Sequence, residues 1–437
     1  MEQACKEVIM RLTPEDIQRV DLIIGQYSEK LDLGFKIPDS EYQQRYEKVW
    51  KEMEKQGIDL GFYYWYREYP GDGLYLTGYN PTLERASGVI AAGKKPMLLV
   101  GPESGLLNKE TGLNLETRFV EEFTLPGEYY EGVKIEKLVD VVREYMGKPI
   151  ASIGYMTAYD YIPCEYFEVF TKRLAPDAGV VDATAILADL RYEKSENEFR
   201  CMKQADTIAN AGVRAMLAVA RAGLRELQIA SVADFVIKAL GGEGYGLETI
   251  VNSGQRCATV IGPATNKIVQ EGEIMQIGCS PSYRGYKGVC RRAFVAGERS
   301  EVQKKYFVLM NEAYEKAVLE LKNVAKNNLS SSRIDLAARE FFATKEINGK
   351  NMGAYHFFSS AHGTGLTECM EKQLIHPYKE IYYGNNIGIM IDLGVYLYPD
   401  TSICGGTVES AFFKRGAEIE CVTDLPTDVQ ALVGKGL

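Results

Sequence analysis

Residues 272–297 read GEIMQIGCSPSYRGYKGVCRRAFVAG, and the fold is decided here. Ile274, Met275 and Ile277 form an apolar run, and Ser280, Pro281 and Ser282 interrupt it. A second run follows from Tyr283 to Val295, with Gly285-Tyr286 near its start and Gly297 at its close. Two such runs separated by turn residues predict a β-hairpin. Arg291 and Val289 are two apart and so share one face of the second strand.

Outward from the hairpin, the pattern predicts helices over 196–221, 225–240, 301–323 and 330–345, and a strand over 247–252. Three strand-rich segments follow, at 354–366, 387–398 and 406–422. Upstream, Thr13-Pro14-Glu15 opens a helical lead-in with an N-cap and a proline at the first helical position. Tyr42, Tyr46, Trp50 and Met53 recur at helical spacing, and Gly57 closes that helix. The strand IDLGFYYWY comes next, and the stretch from Leu74 to Gly101 reads as turn, strand, turn, strand. Further helix-and-strand units run to about residue 190. This alternation predicts an α/β (α+β) architecture. The Tyr-rich stretches 63–70 and 380–384 are candidates for lining a pocket, or for core.

The hairpin resembles that of the "pita-bread" (M24-type) family of creatinase, prolidase, aminopeptidase P and methionine aminopeptidase. Its family form is G-D-x-v-x-i-D-x-G-x-x-x-x-G-Y-x-x-D-x-x-R, with two spaced Asp residues that hold a pair of metal ions. Gly272, Glu273, Gly285, Tyr286 and Arg292 keep the frame, while Gly278 and Val289 stand at the two Asp positions. AHGTGL (361–366) resembles the segment with the metal-binding His and aligns His362 there. IMIDLGVY (389–396) and GGTVES (405–410) put Asp392 and Glu409 at the two metal-binding Glu positions. The family's earlier catalytic His falls at Ile261, and the His-Glu pair that follows its metal-binding His segment falls at Cys369-Met370. The segment Arg191, Lys194, Ser195, Glu198 resembles the family's hinge, with Ser195 and Glu198 spaced as a capping box.

The resemblance covers about 41–426. It implies a creatinase-type mixed-sheet domain at 1–190 and a catalytic-like domain at 191–437 with a curved antiparallel sheet covered by helices. Without carboxylates at 278 and 289 a two-metal centre is not expected. The closest branch is then the metal-free creatinase one, whose hairpin also carries uncharged residues at these positions. The leading expectation is a metal-independent hydrolase, with no cofactor, cleaving a C–N bond of a small carboxylate-bearing substrate. His362 is its acid/base, Asp392 and Glu409 hold a cationic nitrogen, and Arg291, Cys369 and Tyr286 bind substrate. One alternative is a divergent Xaa-Pro peptidase with a single ion on His362, Asp392 and Glu409, a donor set suited to a divalent metal. Another is a non-catalytic pseudoenzyme that binds a small ligand or peptide, with His362 only hydrogen-bonded in the sheet. A nucleophilic pairing of His362 with Cys279, Cys290, Cys369 or Cys404 is a further option. Arg292 is expected to brace the sheet, and His356 and His376 to be structural or superficial. The family also implies a homodimer.

The 437 residues carry a net charge of −10, 46% apolar and 25% charged side chains. That composition fits a globular protein and argues against a general nucleic-acid or anionic-membrane binder. The N-terminal sequence has no basic head and apolar core, and no apolar run approaches a membrane span. The nine cysteines form no C-x-x-C. Reduced thiols and a cytoplasmic location are therefore expected, with a small-molecule substrate as partner.

Overall fold

The computed structural model describes residues 10–369 and 371–437; Met370 and the first nine residues, with Cys5 among them, lie outside the described residues. The chain divides into two compact units. One comprises residues 36–193; the other comprises 1–35 together with 194–437.

The 36–193 unit is built on a six-stranded mixed sheet among the described residues. Its central strand, Leu60–Trp65, pairs antiparallel with Ala86–Ile90 and parallel with Ser152–Tyr155. The helix Asp39–Gln56 ends on Gly57 as its sequence predicts. Residues 74–77, expected to be turn and strand, lie instead in the helix Gly71–Thr77. Asp72 in its first turn is anchored by a buried ion pair to Arg191 at 2.7 Å. Tyr63, Tyr64 and Trp65, in the first of the two Tyr-rich stretches, are buried core residues.

The other unit begins with helix α1 (Pro14–Ser28), capped by Thr13 and Asp16 in a reciprocal pair. Residues 10–35 pack with the second half of the chain, not with the 36–190 region to which the sequence reading assigned them. Non-local bonds hold them there. Asp16 pairs with Arg221, and the Tyr27 hydroxyl reaches Asp424 and accepts from Arg214. Helix α2 (Glu196–Val219) starts on the expected capping box of Ser195 and Glu198. It is followed by α3 (Glu226–Ala239), α4 (Glu301–Asn327) and α5 (Ser332–Ala343).

The sheet of this unit is a curled antiparallel half-barrel. Its strands are β1 (Ile250–Ser253), β2 (Ile274–Cys279), β3 (Cys290–Val295), β4 (Ala361–Gly363), β5 (Asn386–Val395), β6 (Gly406–Arg415) and β7 (Glu418–Cys421). They run in the order β4-β5-β6-β3-β2-β1, with β7 also on β6. The hairpin of the opening stretch supplies β2 and β3, paired from Cys279–Cys290 to Ile274–Val295. Of the expected 354–366 strand only β4 forms. Helix α2 packs on β2 and β3, and α4 packs on β5, β6 and β7. Gly288 permits the first contact, because a Cβ there would stand 2.2 Å from the backbone of Asp206.

Arg292 is wholly buried and donates to the carbonyls of Glu409, Leu425 and Pro426. It braces the sheet as its position implied. His356 is buried between the Gly394 carbonyl and the Ser360 hydroxyl, a structural role. Cysteines among the described residues are free.

Candidate metal centre on the sheet

Register places the site. Gly278 of β2 faces Arg291 of β3, Arg291 faces Glu409 of β6, and Glu409 faces Asp392 of β5. Directly opposed residues on antiparallel strands lie side by side on one face, so these four make one row. His362 of β4 pairs in register with Met390, two residues from Asp392 on β5.

The row brings together four of the expected residues. His362 Nε2 stands 3.1 Å from Glu409 Oε1. Arg291 Nη1 lies 3.5 Å from both Asp392 Oδ2 and Glu409 Oε2. Arg291 Nη2 donates to the Tyr396 hydroxyl at 2.9 Å and to the Val260 carbonyl. The Thr407 hydroxyl donates to Asp392 Oδ1 at 2.6 Å. Asp392 and Glu409 are buried, while the His362 ring remains partly exposed. Burial raises the Asp392 pKa, as does the charge of Glu409, and Arg291, His362 and Thr407 oppose the rise. For His362, burial alone pulls the pKa down, but the bond to Glu409 and the charges of Glu368, Glu409 and Asp392 lift it to about 10. Without a metal the ring is therefore an imidazolium at neutral pH.

Arg291 was expected to grip a substrate carboxylate. It is 3% exposed and its guanidinium is engaged inside the protein, so it offers substrate no free face. Tyr286 is also withdrawn from the site. It is 2% exposed, and its hydroxyl donates to Glu198 at the start of α2. Cys369 is exposed as a residue, but its thiol is largely withdrawn from water and hydrogen-bonds Glu368, and that desolvation together with the acid raises its pKa. Burial likewise pushes Cys279 up, and Cys290 to about 12. These are thiols, not thiolates, and none forms a hydrogen-bonded pair with His362 among the described residues. Ile261, in place of the resemblance's histidine, is half exposed.

Three participants escaped the sequence reading. Thr407 lies two residues from Glu409 on β6, and Tyr396 directly follows the end of β5, four residues from Asp392, so the two-residue period would have put both on the site face. Glu368 is buried with Oε2 unpartnered, close enough for its charge to raise the pKa of His362. It lies in an irregular turn with no periodicity to betray it.

His362, Asp392 and Glu409 each offer one donor atom, all within 4.8 Å of one another. One nitrogen and two carboxylate oxygens fit a single divalent ion. Two ions do not fit. Gly278 and Val289 bring no donor, and Val289 packs with Met390 and Ala411.

The model for "Metallopeptidase family M24" matches residues 200–420. The Xaa-Pro dipeptidase of Pyrococcus furiosus is 27% identical over 355 residues, covering 81% of this chain and 91% of that protein. The Xaa-Pro dipeptidase of Pyrococcus horikoshii is 25% identical over 357 residues, 81% of this chain and 90% of the relative. Among solved structures, an X-Pro aminopeptidase from Thermotoga maritima superposes with a TM-score of 0.74 at 21% identity, covering 88% of this chain and 99% of that one. The prolidase from Pyrococcus horikoshii gives 0.72 at 22% identity, with the same coverage of 88% and 99%. These structures share the pita-bread fold with this chain.

Proposed function

This chain belongs to metallopeptidase family M24, and we propose that it hydrolyses the C–N bond preceding proline in short Xaa-Pro peptides. The observation that carries the reading is the His362–Asp392–Glu409 donor set, drawn from three adjacent strands. The relatives' names support this peptidase reading over the metal-independent, creatinase-like reading of the sequence.

His362 Nε2, one oxygen of Asp392 and one of Glu409 would hold a divalent ion, which supplies Lewis-acid polarisation and a more acidic bound water. The chain's own groups do the rest. Thr407 orients Asp392 through Oδ1. Arg291 keeps Asp392 Oδ2 and Glu409 Oε2 turned toward the centre of the row. Glu368, with its unpartnered Oε2, is placed to accept a proton from water and return it to the leaving nitrogen.

The test is hydrolysis of Gly-Pro and Met-Pro, against Gly-Leu as control, by protein stripped with EDTA and reloaded with Mn, Co or Zn. Cleavage restored by one of these ions and confined to the proline peptides is expected. No turnover with any ion would sink the reading and favour a protein that binds without catalysis. The Asp392–Arg291–Glu409 row, whose charges balance once the His362 imidazolium is counted, gives that second reading its support. No helix among the described residues is long and apolar enough to cross a membrane. A cytoplasmic homodimer belongs to the same proposal, and light scattering on the purified chain checks the dimer.

A further inference from the structure

Resting on that reading of the site, we propose that Arg291 is a built-in cation that fills the place of a second metal ion, leaving a centre that takes one ion only. The observation behind this is a steric trade between neighbouring strands. A Cβ at Gly278 would lie 2.3 Å from Arg291 Cγ and 3.1 Å from Arg291 Cβ. The arginine stem therefore lies across the space that any side chain at 278 would use. Its guanidinium ends 3.5 Å from Asp392 Oδ2 and 3.5 Å from Glu409 Oε2, bridging the two carboxylates as a shared cation does.

Tyr396 and Val260 fix the other end of the guanidinium. The Tyr396 hydroxyl is held in turn by Gln276 of β2 at 3.0 Å. The cation is thus clamped from three sides, and arginine does not lose its proton in a protein. On the remaining flank Val289, Met390 and Ala411 form an apolar cluster with no donor for a metal. A second divalent ion would face a fixed like charge with no carboxylate beyond Asp392 and Glu409 to offset it. Glycine at 278, arginine at 291 and valine at 289 act as one unit, and changing one alone does not restore a two-ion site.

The test counts ions. Full-length wild type, Gly278→Asp/Val289→Asp, and Gly278→Asp/Val289→Asp/Arg291→Ala are stripped, titrated with MnCl2 by calorimetry, and checked by elemental analysis. The triple variant should bind one ion more than the wild type, while the double variant, which keeps Arg291, should not. A double variant that gains an ion as readily as the triple, or a triple that gains none, would overturn the proposal. The count is an increment, so it separates two failures. No ion in the wild type but one in the triple variant would refute the one-ion peptidase reading and leave the role of Arg291 intact.

Arg291→Ala supplies a second readout if the multiple variants do not fold. Its melting temperature should rise with Mn by at least twice the wild-type rise, because the ion replaces a missing charge. Equal rises would count against the surrogate role.

Discussion

The two hairpins that meet at the centre of the half-barrel have different chemistries. The β5–β6 hairpin presents Asp392 and Glu409, two buried acids. The β2–β3 hairpin presents Gly278, Val289 and Arg291, with Lys287 in the short strand Tyr286–Lys287 between its two arms. One side offers ligands for a cation, and the other supplies a cation and removes the side chain that would collide with it. Arg291 is paired with both acids, whereas the buried ammonium of Lys287 donates to the Ser282 hydroxyl at 3.1 Å.

The acid side should show the largest effect. Glu409→Gln keeps the shape of the side chain but weakens both a ligand and the partner of His362. It should lower kcat/KM on Xaa-Pro peptides on the order of 10²–10⁴-fold. A loss under tenfold would show that the β5–β6 hairpin is not the reactive side.

Lys287 sharpens the contrast from the other side, because burial lowers its pKa to about 8. Below pH 8 the folded protein holds this ammonium buried, at a cost. Between pH 8 and the unfolded value near 10.5 the unfolded chain retains a proton that the folded chain has shed, so stability rises with pH. Lys287→Met should therefore stabilise by about 2–3 kcal/mol at pH 7 and by little at pH 10.5. Urea unfolding at the two pH values measures this, and an equal gain at both would mean the cost is not one of charge burial.

Gly278→Ala places a methyl against the clamped stem of Arg291. A destabilisation of about 1–3 kcal/mol is expected, the usual cost of overpacking. An unchanged urea midpoint would show that Arg291 moves freely and that the two sides are not coupled as described. Tyr286→Phe should have the smallest effect. Losing the bond to Glu198 should cost about 1 kcal/mol of stability and leave kcat/KM unaltered. A drop in kcat/KM at unchanged stability would return Tyr286 to the substrate.

Local signals were the most legible part of the fold. Ser195 and Glu198, and Thr13 before Pro14, cap helices where their spacing places them. The two runs of the β2–β3 hairpin were readable from alternation, but its turn was not: Pro281–Tyr283 and Tyr286–Lys287 pair as two further short strands, and the chain reverses at Arg284-Gly285 instead of at Ser280–Ser282. His362, Asp392 and Glu409 could be singled out because each sits in a short recognisable segment. Their meeting within 4.8 Å depends on the register of three strands, which no one segment contains.

The misreadings share that cause. Arg291 and Val289 could be put on one face of a strand, but the partner of Arg291 is set by cross-strand neighbours more than a hundred residues away in sequence. Tyr286 was assigned to substrate binding, whereas its hydroxyl meets Glu198 on a helix packed behind the hairpin. The first 35 residues went to the wrong unit because the ion pair of Asp16 with Arg221 spans 205 positions. Glu368 had neither a period nor a motif to mark it.

The measurement that tests the account most directly is a calorimetric titration of Mn into the stripped wild-type protein and into His362→Ala. One binding site per wild-type chain, lost or greatly weakened in the variant, is the predicted result. No site in the wild type, or two, would contradict a centre in which three residues hold one ion and Arg291 stands in for another.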